Sequence, residues 1–450
     1  MTRLRLILAA GDFVLALCAQ YCGMVLSAAS FAVLRDYPAA GLIHALFFAC
    51  ALVSASSVAK LYGKGHYKVS KGVLARVIAS TGLALVIFAV LYLLAPHIMV
   101  AKGAAALSLL IFGLLQFFWH NYHLKLPGFS QNLLILGTGA LARQLDQTLA
   151  GSNHDYLPVG FVRLPDENSV VDASRILGPV SDFAGIALQQ KVHKVVVAIA
   201  EQRGVLPVTE LLRCRFNGVE VVDAMSFYEE MTGKVMVGNV NPAWFIYSSG
   251  FEIDLFALYS KRALDIVFSL LGIALFWPLM LLVAAAVKLD SPGPVLFRQM
   301  RVGKNDNVFE LYKFRTMRED AESESGAIWA ATDDPRITRL GTFLRKCRLD
   351  EMPQFFNVLL GDMAFVGPRP ERPEFVLELY QLLPYYSKRH ALKPGVTGWA
   401  QVNYPYGASV EDALEKLNYD LYYIKNYSIF LDILIVMETV EVVLSGRGGR

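Results

Sequence analysis

Two adjacent carboxylates, Asp350 and Glu351, stand inside Leu344-Arg345-Lys346-Cys347-Arg348-Leu349-Asp350-Glu351-Met352-Pro353-Gln354. Asp350 falls where a helix N-cap would, and Pro353 is tolerated in a first helical turn. There a carboxylate meets free N–H groups and the positive helix end, which predicts a lowered pKa and an ionised group. Such a residue either caps the helix or is free to react. Upstream, Arg298, Arg301, Lys304, Lys313, Arg315 and Arg318 face only Asp306 and Glu310. Six cations against two carboxylates, interleaved with aromatics, suit an anionic substrate, although such a run also makes an ordinary surface. Downstream, Gly361-Asp362-Met363-Ala364-Phe365-Val366-Gly367-Pro368-Arg369-Pro370 fixes one cation between prolines, where Arg369 could clamp a phosphate bidentately. Lys393-Pro394-Gly395-Val396-Thr397-Gly398-Trp399 follows, then Gln401 and Asn403.

These residues must be carried by a chain that is not a purely soluble one. Of 450 residues, 55% are hydrophobic and 18% charged, and the mean hydropathy is +0.42. Soluble domains run about 45–50% apolar and about 25% charged, so the surplus calls for lipid. A net charge of +3 without a basic tail argues against nucleic acid as a partner. The five cysteines, Cys18, Cys22, Cys50, Cys214 and Cys347, show neither a zinc spacing nor a disulfide pattern.

Residues 1–127 carry four apolar stretches, Leu6–Leu34, Ala39–Leu61, Val73–Ala95 and Ala104–Trp119, read as four spans with the last at the short end. The first starts at Arg3 and Arg5 and is too long for a signal-peptide core, so it is expected to stay as an anchor. The loop between the second and third holds Lys64, Lys68 and Lys71, edged by Lys60 and Arg76. The opposite loops offer Arg35 and Lys102. The positive-inside bias therefore expects a multi-pass protein with both ends of this bundle in the cytoplasm.

Residues 128–250 alternate short apolar runs with helical patterns. Strands are expected at Asn132–Leu136, Val159–Val162, Lys194–Ala200 and Val219–Val222, giving a Rossmann-like α/β middle domain. Gly137, Gly139 and Ala142 fit the G-x-G-x-x-G/A turn whose N–H groups can hold a pyrophosphate. The ribose-binding acid due about 20 residues on is poorly matched, since Asp166 and Glu167 lie 29 and 30 residues after Gly137. The turn is either a nucleotide site or simply a tight βα connection.

Residues 251–450 open with a 25-residue apolar run, Ala263–Val287, between Lys261-Arg262 and Lys288. It could span a bilayer, but basic flanks on both sides and Pro278 within favour a kinked hairpin dipping into one leaflet. Asp265 and Ser269 could then satisfy backbone groups freed at the break, and Ser291-Pro292-Gly293-Pro294 would end the element. Ile429–Leu444, 16 residues with Asp432, Glu438 and Glu441, is too short and too charged to span and is expected in a core or at an interface.

Taken in order, Lys261-Arg262, Ser291-x-Gly293-Pro294, Gln299-x-Arg301-x-Gly303, Lys313-Phe314-Arg315-Thr316-Met317, Asp350-Glu351-x-Pro353-Gln354, Val366-Gly367-Pro368-Arg369-Pro370 and Lys393-Pro394-Gly395 resemble the bacterial polyprenyl-phosphate sugar-1-phosphate transferases. The resemblance covers about Lys261 to Leu444, and the four spans with a Rossmann-like domain resemble the long form of this family. One departure is Lys304-Asn305-Asp306-Asn307, which lacks a glycine often found in that turn. The resemblance implies an inner-membrane enzyme with a mainly helical catalytic domain on the cytoplasmic face and a re-entrant helix kinked around Ser269 and Pro278. It implies Asp350 as nucleophile, Mg²⁺ on Glu351 with Asp350, and Lys313, Arg315, Arg348 and Arg369 on substrate phosphates. The donor would be a UDP-sugar, with glucose or galactose as the guess, and the acceptor polyprenyl (undecaprenyl) phosphate in the membrane lipid. The product would begin exopolysaccharide, capsule or O-antigen synthesis, and a homodimer is compatible with this organisation. The alternative is a membrane-anchored NAD-dependent enzyme using Gly137–Ala142. The Tyr-x-x-x-Lys pair that such enzymes use occurs only at Tyr67…Lys71, before that unit.

Overall fold

The computed structural model describes residues 2–27, 38–59, 61–62, 70–94, 102–124, 131–151, 156–165, 167–199, 206–239, 250–251, 255–318, 321, 334–405, 407 and 409–444. Two compact units divide the chain, one made mainly of residues 1–131 and the other mainly of residues 158–450.

The first unit holds α1 (Thr2–Leu26), α2 (Pro38–Val58), α3 (Ser70–Leu94) and α4 (Lys102–Leu124). Helix α1 ends at Leu26 rather than Leu34, and α4 runs beyond Trp119. Among the described residues Ile7–Leu26 and Gly103–Tyr122 are long and apolar enough to cross a membrane, whereas His44–Val58 and Arg76–Ala89 are shorter apolar segments. Length and composition thus support two of the four expected spans directly. Arg35, Lys60, Lys64, Lys68 and Tyr67 lie outside the described residues. Ala16, Phe48, Leu52, Ala84 and Phe112 pack where the helices meet. Asp12 is fully buried, and accepts from Gln116 Nε2 at 2.6 Å and from the Tyr62 hydroxyl at 2.7 Å. His120 Nε2 lies 3.0 Å from its other oxygen. A buried polar group is tolerable only when surrounded by such partners.

The second unit begins with a five-stranded sheet of β1 (Gln131–Leu136), β2 (Tyr156–Arg163), β3 (Ile176–Pro179), β4 (Lys194–Val197) and β5 (Glu220–Asp223), ordered β3-β2-β1-β4-β5. The pairings of β1 with β4, β2 with β3 and β4 with β5 are parallel, and the switch in strand order lies beside β1, where ligands bind in such folds. Strand β3 escaped the sequence reading because Ile176-Leu177-Gly178-Pro179 is short and ends in turn residues. Helices α5 (Ala140–Ala150), α6 (Phe183–Gln189), α7 (Val208–Phe216) and α8 (Ala224–Thr232) accompany the sheet.

The sheet domain ends earlier than expected. Val235 and Val237, placed in 128–250 by the sequence, are buried with Leu417, Leu421 and Tyr422 in the core of the C-terminal domain. Trp399 Nε1 donates to Gly233 O at 2.7 Å, and Asn426 Nδ2 to Glu229 at 2.8 Å.

The C-terminal domain comprises α9 (Leu255–Asp290), the antiparallel pair β6 (Leu296–Val302) and β7 (Val308–Phe314), α10 (Arg339–Lys346), α11 (Gln354–Leu360), β8 (Ala364–Val366), α12 (Pro373–Leu382), β9 (Gly395–Thr397), α13 (Trp399–Asn403), α14 (Val410–Lys425) and α15 (Ile429–Leu444). The turn at Lys304–Asp306 does without glycine by placing Asn305 and Asp306 at positive φ, 54° and 63°, where Asn and Asp are the best-tolerated alternatives.

Helix α9 is 36 residues long and runs through Pro278 as one helix, also meeting the length and composition of a membrane span. The expected break is therefore not a gap in the helix. Its polar residues also serve other partners than the kink. Asp265 accepts from the Phe365 N–H of β8 at 2.8 Å, and the buried Ser269 hydroxyl has no partner among the described residues. One face of α9 is packed: Lys261, Asp265, Ser269, Val283 and Val287 are buried. Leu271, Leu275, Trp277, Leu281 and Leu282 remain exposed. Arg262 caps α11 by donating to the carbonyls of Val358 at 2.6 Å and Leu359 at 2.9 Å, and Val287 packs with Leu344 and Met352. Both ends of α9 thus rest on the same domain. Helix α15 is a core element, with Asp432 paired to Lys261 at 2.6 Å and Ile435 fully buried.

Candidate active site

The carboxylate pair is held by two short helices meeting at a strained turn. Thr338 caps α10 by accepting the Gly341 N–H at 2.9 Å, and the helix gives out at Cys347. Arg348 then adopts φ 57°, a left-handed conformation costly for a side-chain-bearing residue and characteristic of functional sites. Residues Leu349–Glu351 form a single 3₁₀ turn leading through Pro353 into α11. Asn357 ties α11 to β7, accepting the Tyr312 N–H at 3.0 Å and donating to Glu310 O at 2.7 Å. That bond fixes Lys313, the next residue on β7, opposite the turn.

Asp350 does not occupy the N-cap. It lies within the 3₁₀ turn, three residues before the start of α11 is reached at Pro353. Its pKa is raised, not lowered, because burial penalises its charge and Glu351 repels it, against the pull of Lys313, Arg345 and Arg348. The reversal is physical: the free N–H groups of a helix end are not there to receive it. Its Oδ1 is buried and has no hydrogen-bond partner among the described residues.

Glu351 is the opposite case. Its Oε1 accepts from Arg369 Nη2 at 3.1 Å, Lys313 Nζ at 3.2 Å and Arg348 Nη1 at 3.3 Å. Burial would raise its pKa, but Lys313, Arg369 and Arg348 overcome this and hold it well below the ordinary carboxylate range. Lys313 is shifted down, by burial foremost. Three cations thus converge on one oxygen beside a carboxylate whose Oδ1 has no partner among the described residues.

Arg369 is aimed by a loop clamped from several sides. Gly367 N donates to Thr397 O and Gly395 N to Pro368 O, both at 2.9 Å. Arg389 donates to the Arg369 carbonyl at 3.0 Å and Arg301 to that of Pro370 at 3.0 Å. Tyr423 donates to Val366 O at 3.2 Å. A Cβ on Gly367 would fall 2.4 Å from Lys393 O, so the close backbone approach requires glycine there. Arg369 Nη1 donates to Gln401 Oε1 at 2.9 Å.

Of the expected phosphate ligands, the structure brings Lys313, Arg348 and Arg369 together on Glu351. Arg315 stands apart in role: it is buried, and its amino groups donate to the carbonyls of Pro292 and Ser291, the latter at 2.7 Å. It staples the turn after α9 because those carbonyls, past a helix end, need donors. Two residues were missed. Arg345, which bonds Thr316 at 2.9 Å and feels Asp350, could have been found from its place one helical turn before the dyad. Gln401, 32 residues beyond Arg369, stood out after the Lys393-Pro394-Gly395 run but nothing in its neighbours in sequence pointed to Arg369.

The glycine turn of the sheet domain is filled from within. Thr138 N donates to Glu167 Oε2 and Gly139 N to Glu167 Oε1, each at 2.9 Å. The acid unsuited by spacing to hold a ribose takes instead the position where a phosphate would sit. Asp166 lies outside the described residues.

Among the described residues no group of three or more His, Cys, Asp or Glu could hold a metal. A magnesium ion bound through one or two carboxylates, water and substrate phosphate needs no such group. The empty Asp350 Oδ1 beside Glu351 fits that mode.

The segment that carries this site is similar to known proteins. The bacterial sugar transferase family matches residues 256–446. A UDP-N-acetylgalactosamine-undecaprenyl-phosphate N-acetylgalactosaminephosphotransferase of Aeromonas hydrophila is 43% identical over 53% of this chain and 56% of its own length. A UDP-glucose:undecaprenyl-phosphate glucose-1-phosphate transferase of Xanthomonas campestris pv. campestris is 35% identical over 64% of this chain and 61% of its own. An exopolysaccharide production protein of Rhizobium leguminosarum bv. phaseoli is 45% identical over 42% of this chain and 98% of its own. The chain spans just over half the length of the first two relatives. It belongs to the bacterial sugar transferase family.

Proposed function

We infer that this protein transfers a sugar-1-phosphate from a UDP-sugar to undecaprenyl phosphate and releases UMP. The observation that carries the reading is the buried, unpartnered Asp350 Oδ1 next to a carboxylate neutralised by three cations. In the first step Asp350 attacks the sugar-bearing phosphorus, forming a P–O bond as the bond to UMP breaks and its electron pair leaves with UMP. In the second, an oxygen of the lipid phosphate attacks the same phosphorus and the Asp350 carboxylate is released. Lys313, Arg348 and Arg369 supply charge where the diphosphate must lie, since phosphoryl transfer is chiefly positioning and charge stabilisation. Asp350 and Glu351 would hold Mg²⁺, which when bound neutralises phosphate charge.

The proposed membrane geometry is supported by where the ends of α9 pack. A straight 36-residue helix would be about 54 Å long and could not bring both ends to one membrane face. Yet Arg262 and Val287 both pack on the C-terminal domain, while a row of large apolar residues between them faces outward. We therefore read α9 as re-entrant, bent at Pro278, with the site at the lipid surface where a cytosolic sugar nucleotide and a lipid phosphate meet. The Lys-rich loop after α2 supports four N-terminal spans in the bacterial cytoplasmic membrane.

The test is incubation of membranes containing the full chain with radiolabelled UDP-glucose, UDP-galactose or UDP-N-acetylgalactosamine. Label in the lipid fraction with equimolar UMP supports the reading. Neither product with any donor overturns it.

A further inference from the structure

A guanidinium has no lone pair to offer, so the Gln401 oxygen must face Arg369, as it does at 2.9 Å from Nη1. That contact settles which end of the amide is nitrogen. Gln401 Nε2 is then buried without a partner among the described residues. Native proteins seldom keep a buried donor empty without a use. The place is built closely: Gly398 stands beside the amide, and a Cβ there would lie 3.4 Å from Nε2 and 2.1 Å from Gly367 O. Two polar atoms of this constellation therefore have no partner among the described residues, Asp350 Oδ1 on the residue before Glu351 and Gln401 Nε2 on the residue bonded to Arg369.

We propose that Gln401 Nε2 donates to a phosphoryl oxygen of the sugar nucleotide, beside the Arg369 guanidinium. Gln401 is then a substrate-binding residue in its own right and not only a support for Arg369. The acceptor is phosphoryl because Gln401 is bonded to Arg369, one of the three cations that converge with Lys313 and Arg348, and cations gather anionic oxygens. The assignment rests on the transferase reading above.

The test is calorimetric titration of the detergent-solubilised full chain with UDP, comparing Gln401→Met in wild-type and Arg369→Ala backgrounds. A hydrogen bond to a charged oxygen is worth about a tenfold change in affinity or more, and this loss is expected in both backgrounds. No further loss in the Arg369→Ala background would show that Gln401 acts only through Arg369, overturning the proposal. A loss of UDP-sugar affinity with UDP affinity unchanged would place the contact on the sugar and also overturn it. Gln401→Glu, which keeps an oxygen for Arg369 but no donor at pH 7.5, guards against misfolding of the Met variant. Its binding UDP at wild-type strength would overturn the proposal. A wild-type chain that neither binds UDP nor releases UMP from UDP-sugars is a separate failure, that of the transferase reading.

Discussion

Asp350 and Glu351 are neighbours in one 3₁₀ turn, yet among the described residues Glu351 Oε1 takes three cationic donors while Asp350 Oδ1 takes none. Lys313 and Arg348 act on both carboxylates, but their hydrogen bonds go to Glu351. One carboxylate oxygen is ringed by cationic donors and the other is left without one.

The two acids should therefore respond differently to amide substitution. Asp350→Asn should abolish UMP release while leaving thermal stability unchanged or higher, because it removes a buried charge that Glu351 repels. Glu351→Gln should lower activity by orders of magnitude and also destabilise, by about 3–5 kcal/mol, the usual cost of breaking a buried ion pair. Denaturant melts alongside UMP release check both, and near-wild-type turnover in Asp350→Asn would end the covalent assignment.

The disposition of α9 is open to labelling. With the five native cysteines replaced by serine, single cysteines placed just before Lys261 and just after Lys288 should both resist an impermeant thiol reagent added outside cells. Reaction of the second site alone would show a crossing helix.

The sheet domain should matter for stability more than for turnover. Gly139→Val would place a Cβ 3.0 Å from Glu167 Oε1, and Glu167→Ala would strip charge-assisted bonds from Thr138 N and Gly139 N, at about 1–3 kcal/mol. Either should lower Tm with kcat nearly unchanged. A chain beginning at Phe256 should keep the chemistry but melt well below one beginning at Ala224. Val235 and Val237 fill the C-terminal core, and burying a valine is worth at least about 1.5 kcal/mol. Loss of activity in a folded short chain would draw the glycine turn back into the mechanism.

A pH dependence arises at His390, which lies 2.6 Å from Asp306 and also faces Tyr380, Tyr386 and Arg389. Burial and then Arg389 lower its pKa, outweighing Asp306. The unfolded chain, titrating near pH 6.5, thus takes up this proton more readily than the folded one. The sign follows: the contribution of His390 is full above pH 6.5 and declines as pH falls towards its lower folded value. Tm should drop between pH 7 and pH 5.5, and His390→Gln should flatten that slope. An unaltered slope would exclude His390 as its source.

The linear order of residues was enough to find long apolar stretches, two of them in the N-terminal unit meeting the length and composition of a span, an α/β middle segment, and an Asp-Glu pair among basic residues, because apolar periodicity and local motifs are properties of neighbours in sequence. Lys313 and Arg369 could be read as anion ligands for the same reason. What only the tertiary structure decided are matters of distance across the chain. Arg315 reads as a ligand by motif, but the end of α9 lies within reach and claims it. Gln401 joins Arg369 only because β8 and β9 pair and set α13 beside the Pro368–Pro370 loop. Glu167 finds the glycine turn across a strand and a loop. The ionisation of Asp350 was misread because a pKa depends on burial and on every charge within a few ångströms, and sequence specifies neither until the chain has folded.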